Sequence, residues 1–397
     1  MSPSPRDDWT TLSGRAASRG DDDALFLFKT STGRFVKVKS AEARPVFSAD
    51  GRAAVWLEAS RGLSFLSLLS RPEWMEGSRP ARFYRFAPME SSAEPVATDV
   101  LLSSAPRAWT VSADGARVAA INEETDTASA NSVSVYELST GRLLAAAAIP
   151  PNIGAHLVFV APDRLRIYLE EPSESAASGE ARRRLGIHEM DVAGKTLAQT
   201  GQMGPFAGFL VLRTDAAASR AIAIDRRGRK MTLHDGRSGR QIAILSSGER
   251  RSRNAAFLGD GRVAEVESSG AGARLRVFSP EGEEQKMVPL RFGDGWRIAL
   301  GGETAPGVVL VAVRSESAAE SKDSECLLVD TRTGQAQSIG KRIFPAAAMA
   351  WWGHDDPSWY PAAGSEATKL FLDGRGSLIR LDPATGARRV ILSGSSR

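Results

Sequence analysis

Histidines, carboxylates and clustered aromatics are the residues of this 397-residue chain that could do chemistry. Its four histidines are His156, His188, His234 and His354. None stands in His-Glu-x-x-His, the helical spacing that turns two imidazoles toward one zinc ion. Ile187-His188-Glu189-Met190 lacks the second histidine and reads as a strand. His188 and His234 fall in corresponding strands of neighbouring repeats, which suggests a repeat position rather than a metal pair. His354 with Asp355 and Asp356 offers ligands to a divalent cation, yet consecutive residues on one turn do not surround an ion. No metal and no cofactor is expected. The chain has no Gly-x-Ser-x-Gly elbow for a serine nucleophile and no Gly-x-x-x-x-Gly-Lys-[Ser/Thr] phosphate loop. No catalytic residue is assigned, and the expectation is that the chain is not an enzyme.

Two segments suit recognition better than catalysis. Leu63–Leu69 and Arg71–Arg82 place an apolar run before Trp74 and Met75, among arginines. This reads either as a short helix capping the protein's own core or as an exposed anchor, since Trp, Met and Arg concentrate at interface centres. The second segment contains Trp351, Trp352, His354, Asp355, Trp359 and Tyr360. Four large aromatics in ten residues stand far above the 7% aromatic content of the whole chain. Aromatic faces beside acids can stack sugars or grip a protein, and equally can pack against neighbouring elements.

Composition narrows the partners. Lys and Arg number 51 against 47 Asp and Glu, for a net charge of +4. The longest basic cluster is Arg182–Arg184, whereas polyanion binding needs a stripe or patch, so no nucleic acid is expected. No segment reaches the roughly 18 apolar residues of a membrane span. Residues 1–24 are polar and rich in Pro, Ser, Arg and Asp, read as a disordered or extended segment without an apolar signal core. The chain as written reads as cytoplasmic; one trimmed of a signal would be periplasmic or extracellular. The single cysteine, Cys326, lies in the apolar run Cys326–Val329 and reads as a small buried hydrophobe.

What must position these residues is a repeat. A polar residue, then Thr or Ser, then Gly bends the chain between apolar runs at Ser31–Gly33, Ser139–Gly141, Arg237–Gly239, Arg332–Gly334 and Ala384–Gly386. Looser versions end at Gly194 and Gly282. These glycines are 108, 53, 45, 43, 52 and 52 residues apart, and a missing turn falls near Glu90–Ala93 in the first gap. A second mark, Ser-Ala-Asp-Gly, recurs at Ser48–Gly51 and Ser112–Gly115, with relatives at Gly259–Gly261 and Ala161–Asp163. Apolar runs of four to six residues around such turns are hairpin signals. Two alternating hairpins per period of about 40–50 residues describe a four-stranded propeller blade. The expected fold is therefore all-β, a single β-propeller over residues 25–393. Seven blades with an extra N-terminal hairpin come first, and eight, one built partly from Trp9–Leu12, second.

This pattern resembles bacterial propeller repeats of the WD-like and YVTN type over about Leu25 to Ser393. The recurring Gly-His and Trp-Asp marks of true WD repeats are missing; Gly353-His354 is the only Gly-His and stands in a different context. The resemblance implies a rigid platform for partners and names no activity. The functional expectation is a non-catalytic scaffold presenting a protein-binding face. Two alternatives stand beside it: an enzyme or small-ligand binder with its site at the central channel, and a carbohydrate or cell-surface binder using 351–360.

Overall fold

The computed structural model describes residues 106, 108–122, 131–171, 183–207, 210–225, 230–247, 254–269, 272–292, 296–315 and 324–341. Elsewhere it describes the strand segments 9–14, 24–29, 35–38, 46–47, 54–58, 79–86, 96–102, 344–345 and 370–372, with 377–382 and 387–392. All regular structure among these residues is strand. None of it is a helix long and apolar enough to cross a membrane.

Consecutive strands pair antiparallel into separate sheets. The first holds β1 (Trp9–Gly14), β2 (Ala24–Lys29) and β3 (Phe35–Val38). The second holds β4 (Val46–Phe47), β5 (Ala54–Glu58), β6 (Arg79–Phe86) and β7 (Val96–Leu102). Next come β8 (Ala108–Val111), β9 (Arg117–Asn122), β10 (Asn131–Glu137) and β11 (Leu143–Ile149). The fourth sheet is β12 (Gly154–Ala161), β13 (Arg164–Glu171), β14 (Arg183–Asp191) and β15 (Thr196–Phe206). It is followed by β16 (Leu210–Thr214), β17 (Arg220–Asp225), β18 (Lys230–Asp235) and β19 (Gln241–Ser246). The sixth is β20 (Asn254–Phe257), β21 (Val263–Ser269), β22 (Gly272–Phe278) and β23 (Glu284–Leu290). Then come β24 (Trp296–Ala305), β25 (Val308–Ser315), β26 (Ser324–Asp330) and β27 (Ala336–Lys341). The last is β28 (Phe344–Pro345), β29 (Leu370–Leu372), β30 (Leu378–Leu381) and β31 (Arg388–Leu392). These sheets are the blades of a β-propeller. The first sheet is more than a hairpin, because Trp9–Gly14, rich in residues that favour strands, pairs with β2 along its whole length.

Among the described residues, blades bury their faces against their neighbours, so the core lies in the seams. Leu157, Phe159, Leu165 and Ile167 of the β12–β15 blade pack on Ile121, Val133 and Val135 of the blade before. Its other face sends Tyr168, Leu185 and Ile187 against Leu212, Ala221 and Ala223 of the blade after. The pattern repeats with Val211, Ile222 and Leu233 against Val263 and Phe278, and with Leu275 and Val277 against Leu300 and Val309. Each fully buried Leu, Ile or Phe contributes about 1.5–3 kcal/mol, and a blade without neighbours forfeits this on both faces. Cys326 is 1% exposed in the seam formed by Leu310, Leu328, Ile339 and Leu381, where burial pushes its thiol far above its usual pKa.

The recurring turns have a backbone cause. Gly141, Gly239, Gly282 and Gly334 sit at φ between 71° and 90°, the left-handed region that an ordinary side chain avoids. In the first hairpins, Gly115 holds the same conformation at φ 68°, and Ala218 takes its place two blades later at φ 50°. Both turns close alike, Gly115 N–H on Ser112 O and Ala218 N–H on Asp215 O, each at 2.9 Å.

Two substitutions test this account from opposite sides. Gly201→Ala sets a Cβ into the backbone of Ser238 in the next blade, and should cost about 1–3 kcal/mol in urea denaturation. Ala218→Gly relieves the left-handed strain and should raise stability, by up to about 1 kcal/mol. Equal effects of the two would contradict the seam geometry.

Candidate functional site

The first strand of each blade forms the inner edge of the propeller. Between blades, first strands approach first strands: β4 meets β8, β8 meets β12, and β20 meets β24. Second strands β13 and β17 are almost wholly buried, and fourth strands such as β11 and β23 alternate exposed and buried residues. Along β8, β12 and β20 most residues are half-buried although these strands lie deepest. These first strands are thus less buried than the second strands they pair with.

Three blades in succession carry a polar residue on the first strand. The three residues are His156 on β12, Arg213 on β16 and Asn254 on β20, all half-buried. Turn hydrogen bonds align the strands: Asp215 N–H bonds Arg220 O, and Leu258 N–H bonds Arg262 O. Arg213 stands two residues before Asp215, and Asn254 four before Leu258, so they differ by one rung, about 7 Å along the strand. His156 stands five before Ala161, but a bulge between Phe159 and Ala161 absorbs one residue and returns it to the level of Asn254. The ring of His156 lies 6.0 Å from that of Tyr168, and Asn254 Nδ2 donates to Ile298 O at 3.3 Å. An imidazole, a guanidinium and an amide offer a ligand one cationic donor and several neutral hydrogen bonds.

Outward from His156, the seam between the β12–β15 and β16–β19 blades carries the densest charge network among the described residues. Glu189 and Arg166 face each other across β13 and β14, both 8% exposed, 2.5 Å apart. Arg164 reaches the same carboxylate at 3.0 Å and Arg237 from the next blade at 3.5 Å. Burial works to raise the pKa of Glu189, but the Arg166 hydrogen bond and the three guanidinium charges outweigh it and hold the carboxyl ionised. Arg166 also donates to Ala218 O, across the seam. Tyr168 Oη donates to Gly236 O at 2.8 Å, and burial pushes its phenol up to about 12.

The histidines do not share a repeat position. His188 lies three residues before Asp191, paired with Ile167 on the face toward the preceding blade. His234 lies directly before the equivalent turn residue, Asp235, beside Thr232 and Phe206 on a different seam. Among the described residues no group of three or more His, Cys, Asp or Glu is placed to hold a metal ion.

Trp74 and Met75 fall in the connection between β5 and β6, outside the described residues. Trp351, Trp352, His354, Asp355, Trp359 and Tyr360 fall in the connection between β28 and β29, also outside them. Sequence reasoning passed over the seam arginines, although the sequence carries a signal for them. Arg117, Arg220 and Arg262, which reach into the next blade, each stand where the second strand begins after a first-hairpin turn.

No protein-family model matches the chain, and no curated sequence matches it. Solved structures do resemble it. The β-propeller domain of the trilobed protease from Pyrococcus furiosus aligns with 86% of this chain and 97% of that one, with a TM-score of 0.53 and 10% identity. Dipeptidyl peptidase 4 of Porphyromonas gingivalis aligns with 99% of this chain and 59% of its own, with a TM-score of 0.56 and 10% identity. A dihydro-heme d1 dehydrogenase in complex with DHE aligns with 98% of this chain and 74% of its own, with a TM-score of 0.56 and 14% identity. At these identities the likeness establishes the β-propeller fold.

It also corrects the expectation of a non-catalytic scaffold. That expectation took a regular repeat without a nucleophile elbow as a sign of a bare platform. Propellers of this shape occur in a protease, a peptidase and a dehydrogenase, so regular blades do not argue against an enzyme or a ligand site.

The Arg166–Glu189 pair gives a direct test of the seam. Glu189→Ala strands a buried guanidinium and should cost about 3–5 kcal/mol, while Glu189→Leu with Arg166→Met should cost far less than two such losses. Additive losses in urea denaturation would show that the two side chains act independently.

Proposed function

We propose that this propeller handles a small ligand, as an enzyme or as a binder, with its site on the axial channel at His156, Arg213 and Asn254. The observation that carries the reading is the polar triplet on half-exposed first strands of three successive blades. One cation among neutral donors suits a ligand with a single anionic end, and Arg favours the planar fork of a carboxylate. The peptidases among the structural neighbours support peptides as the ligand class to try first. Within propellers, the Thr-Gly and Ser-Ala-Asp-Gly turns support a repeat of the WD-like and YVTN type. The aromatic stretch 351–360 belongs to the connection between β28 and β29, and its Trp and Tyr side chains are further candidates for contact with the ligand.

The test is calorimetric titration with tripeptides carrying free or amidated C-termini. Free-carboxylate peptides should bind, and Arg213→Gln should weaken them by about 10–100-fold, the range for a hydrogen bond to a charged group. Amidated peptides should change little in the same variant. Binding unchanged by Arg213→Gln and His156→Gln, or a crystal structure with the channel filled by apolar side chains, overturns the proposal.

A further inference from the structure

The six-residue turn 235–240 gathers several polar contacts of the seam between the β12–β15 and β16–β19 blades. Its Gly236 O accepts from Tyr168 Oη at 2.8 Å. Its Arg237 O accepts from Thr200 Oγ1 at 3.0 Å, and its Ser238 O from Gln202 N–H at 3.3 Å. The backbones touch at Gly201 against Ser238 and at Gly239 against Gln202, so closely that a Cβ on either glycine would collide. The turn thus grips the outermost strand β15, whose edge is otherwise open. Its shape depends on Gly239, whose N–H bonds Asp235 O at 3.0 Å and whose carbonyl lies 2.9 Å from His234 Nδ1.

That geometry fixes the protonation of His234. A carbonyl only accepts, so Nδ1 carries the hydrogen, and Nε2 accepts from Thr232 Oγ1 at 2.7 Å. The ring is 4% exposed, with the edge of Phe206 at 6.3 Å. A second proton must sit on Nε2, and the Thr232 hydroxyl must then turn to Ala223 O at 3.4 Å. The charged groups around the ring do not supply a free partner. On its own strand, Lys230 disfavours the cation, and Asp235 is taken up by N–H groups of Arg237 and Ser238. Across the seam, Glu189 is shared by Arg164, Arg166 and Arg237. In the adjoining turn Asp215 serves Ser219 and Arg220. On the inner side stand Tyr168, protonated, and beyond it His156.

The geometry points to this seam as a proton-operated latch, in which His234 takes the proton and turn 235–240 releases β15. With the seam closed, burial holds the imidazole below its ordinary pKa of 6.5, against the Gly239 hydrogen bond. With the seam open, the ring meets water and titrates at its ordinary value. The open state therefore binds more protons as pH falls below about 6.5, and acid favours it. The latch is complete above that pH and is lost as pH falls through the closed-state value. It stands apart from the channel ligand.

The experiment is amide hydrogen exchange on the full chain at pH 7.5 and 5.5, corrected for intrinsic rates. Residues 199–203 and 236–240 should lose protection together at pH 5.5, by up to about tenfold, the most that one proton can contribute one pH unit below the open-state pKa. His234→Gln should abolish this pH dependence, and His188→Gln, whose ring lies on another seam, should leave it intact. The latch is overturned if protection in these segments ignores pH. It is equally overturned if His188→Gln removes the effect, or if it survives in His234→Gln. Should His234→Gln not fold, NMR titration of the wild-type histidines decides: an ordinary pKa for His234 with the seam closed refutes the proposal.

Discussion

The contact on which the rest of this molecule depends is an arginine reaching from one blade to a turn of the next. Arg85 donates to Gly115 O, Arg117 to Pro162 O, Arg166 to Ala218 O, Arg220 to Pro280 O, and Arg262 to Thr331 Oγ1. Apolar packing fills the seams but has no direction, and blades could slide on it by a rung without losing much area. A guanidinium that must meet one carbonyl cannot slide. The left-handed residue at Gly115 or Ala218 turns that carbonyl back toward the preceding blade, which ties the turn signature to the arginine. Register between blades is thus set by polar contacts, and cohesion by apolar ones.

This division explains where charge is tolerated. Glu265 and Glu267 of β21 are almost fully buried yet face Arg276 and Arg274 directly across β22, and Arg276 continues to Leu245 O of the preceding blade. Glu303 serves the N–H groups of Gly259 and Gly307 at 2.6 Å each, joining two turns of adjacent blades with one carboxylate. Buried ions of this kind add little net stability, since desolvation offsets most of their attraction. Their contribution is to make misplaced blades costly.

The frame was legible in the sequence where backbone geometry restricts residue choice. Ser112-Ala113-Asp114-Gly115 sits between β8 and β9, and Ser139–Gly141 closes the next hairpin, between β10 and β11. Both were visible because only glycine takes the left-handed turn without strain. The strand β1 was less visible: its partner is set by pairing with β2, which no local pattern announces. The two candidate recognition segments, around Trp74 and Trp351, lie outside the described residues. The polar triplet proposed as a ligand site was illegible for a different reason. His156, Arg213 and Asn254 are 57 and 41 residues apart, share no motif, and come to corresponding first strands only once strands are aligned by their turns.

Every sheet among the described residues is made of strands that follow one another in the chain. Among the described residues no sheet takes a strand from a distant part of the sequence. A blade can form its own hairpins as soon as it leaves the ribosome, dock on the one made before it, and cover that face at once. Growth of the protein during synthesis is then a series of local closures with modest loop entropy, each protecting its predecessor from aggregation. The arginine of a finished blade waits for only one thing, a turn of the blade still being made.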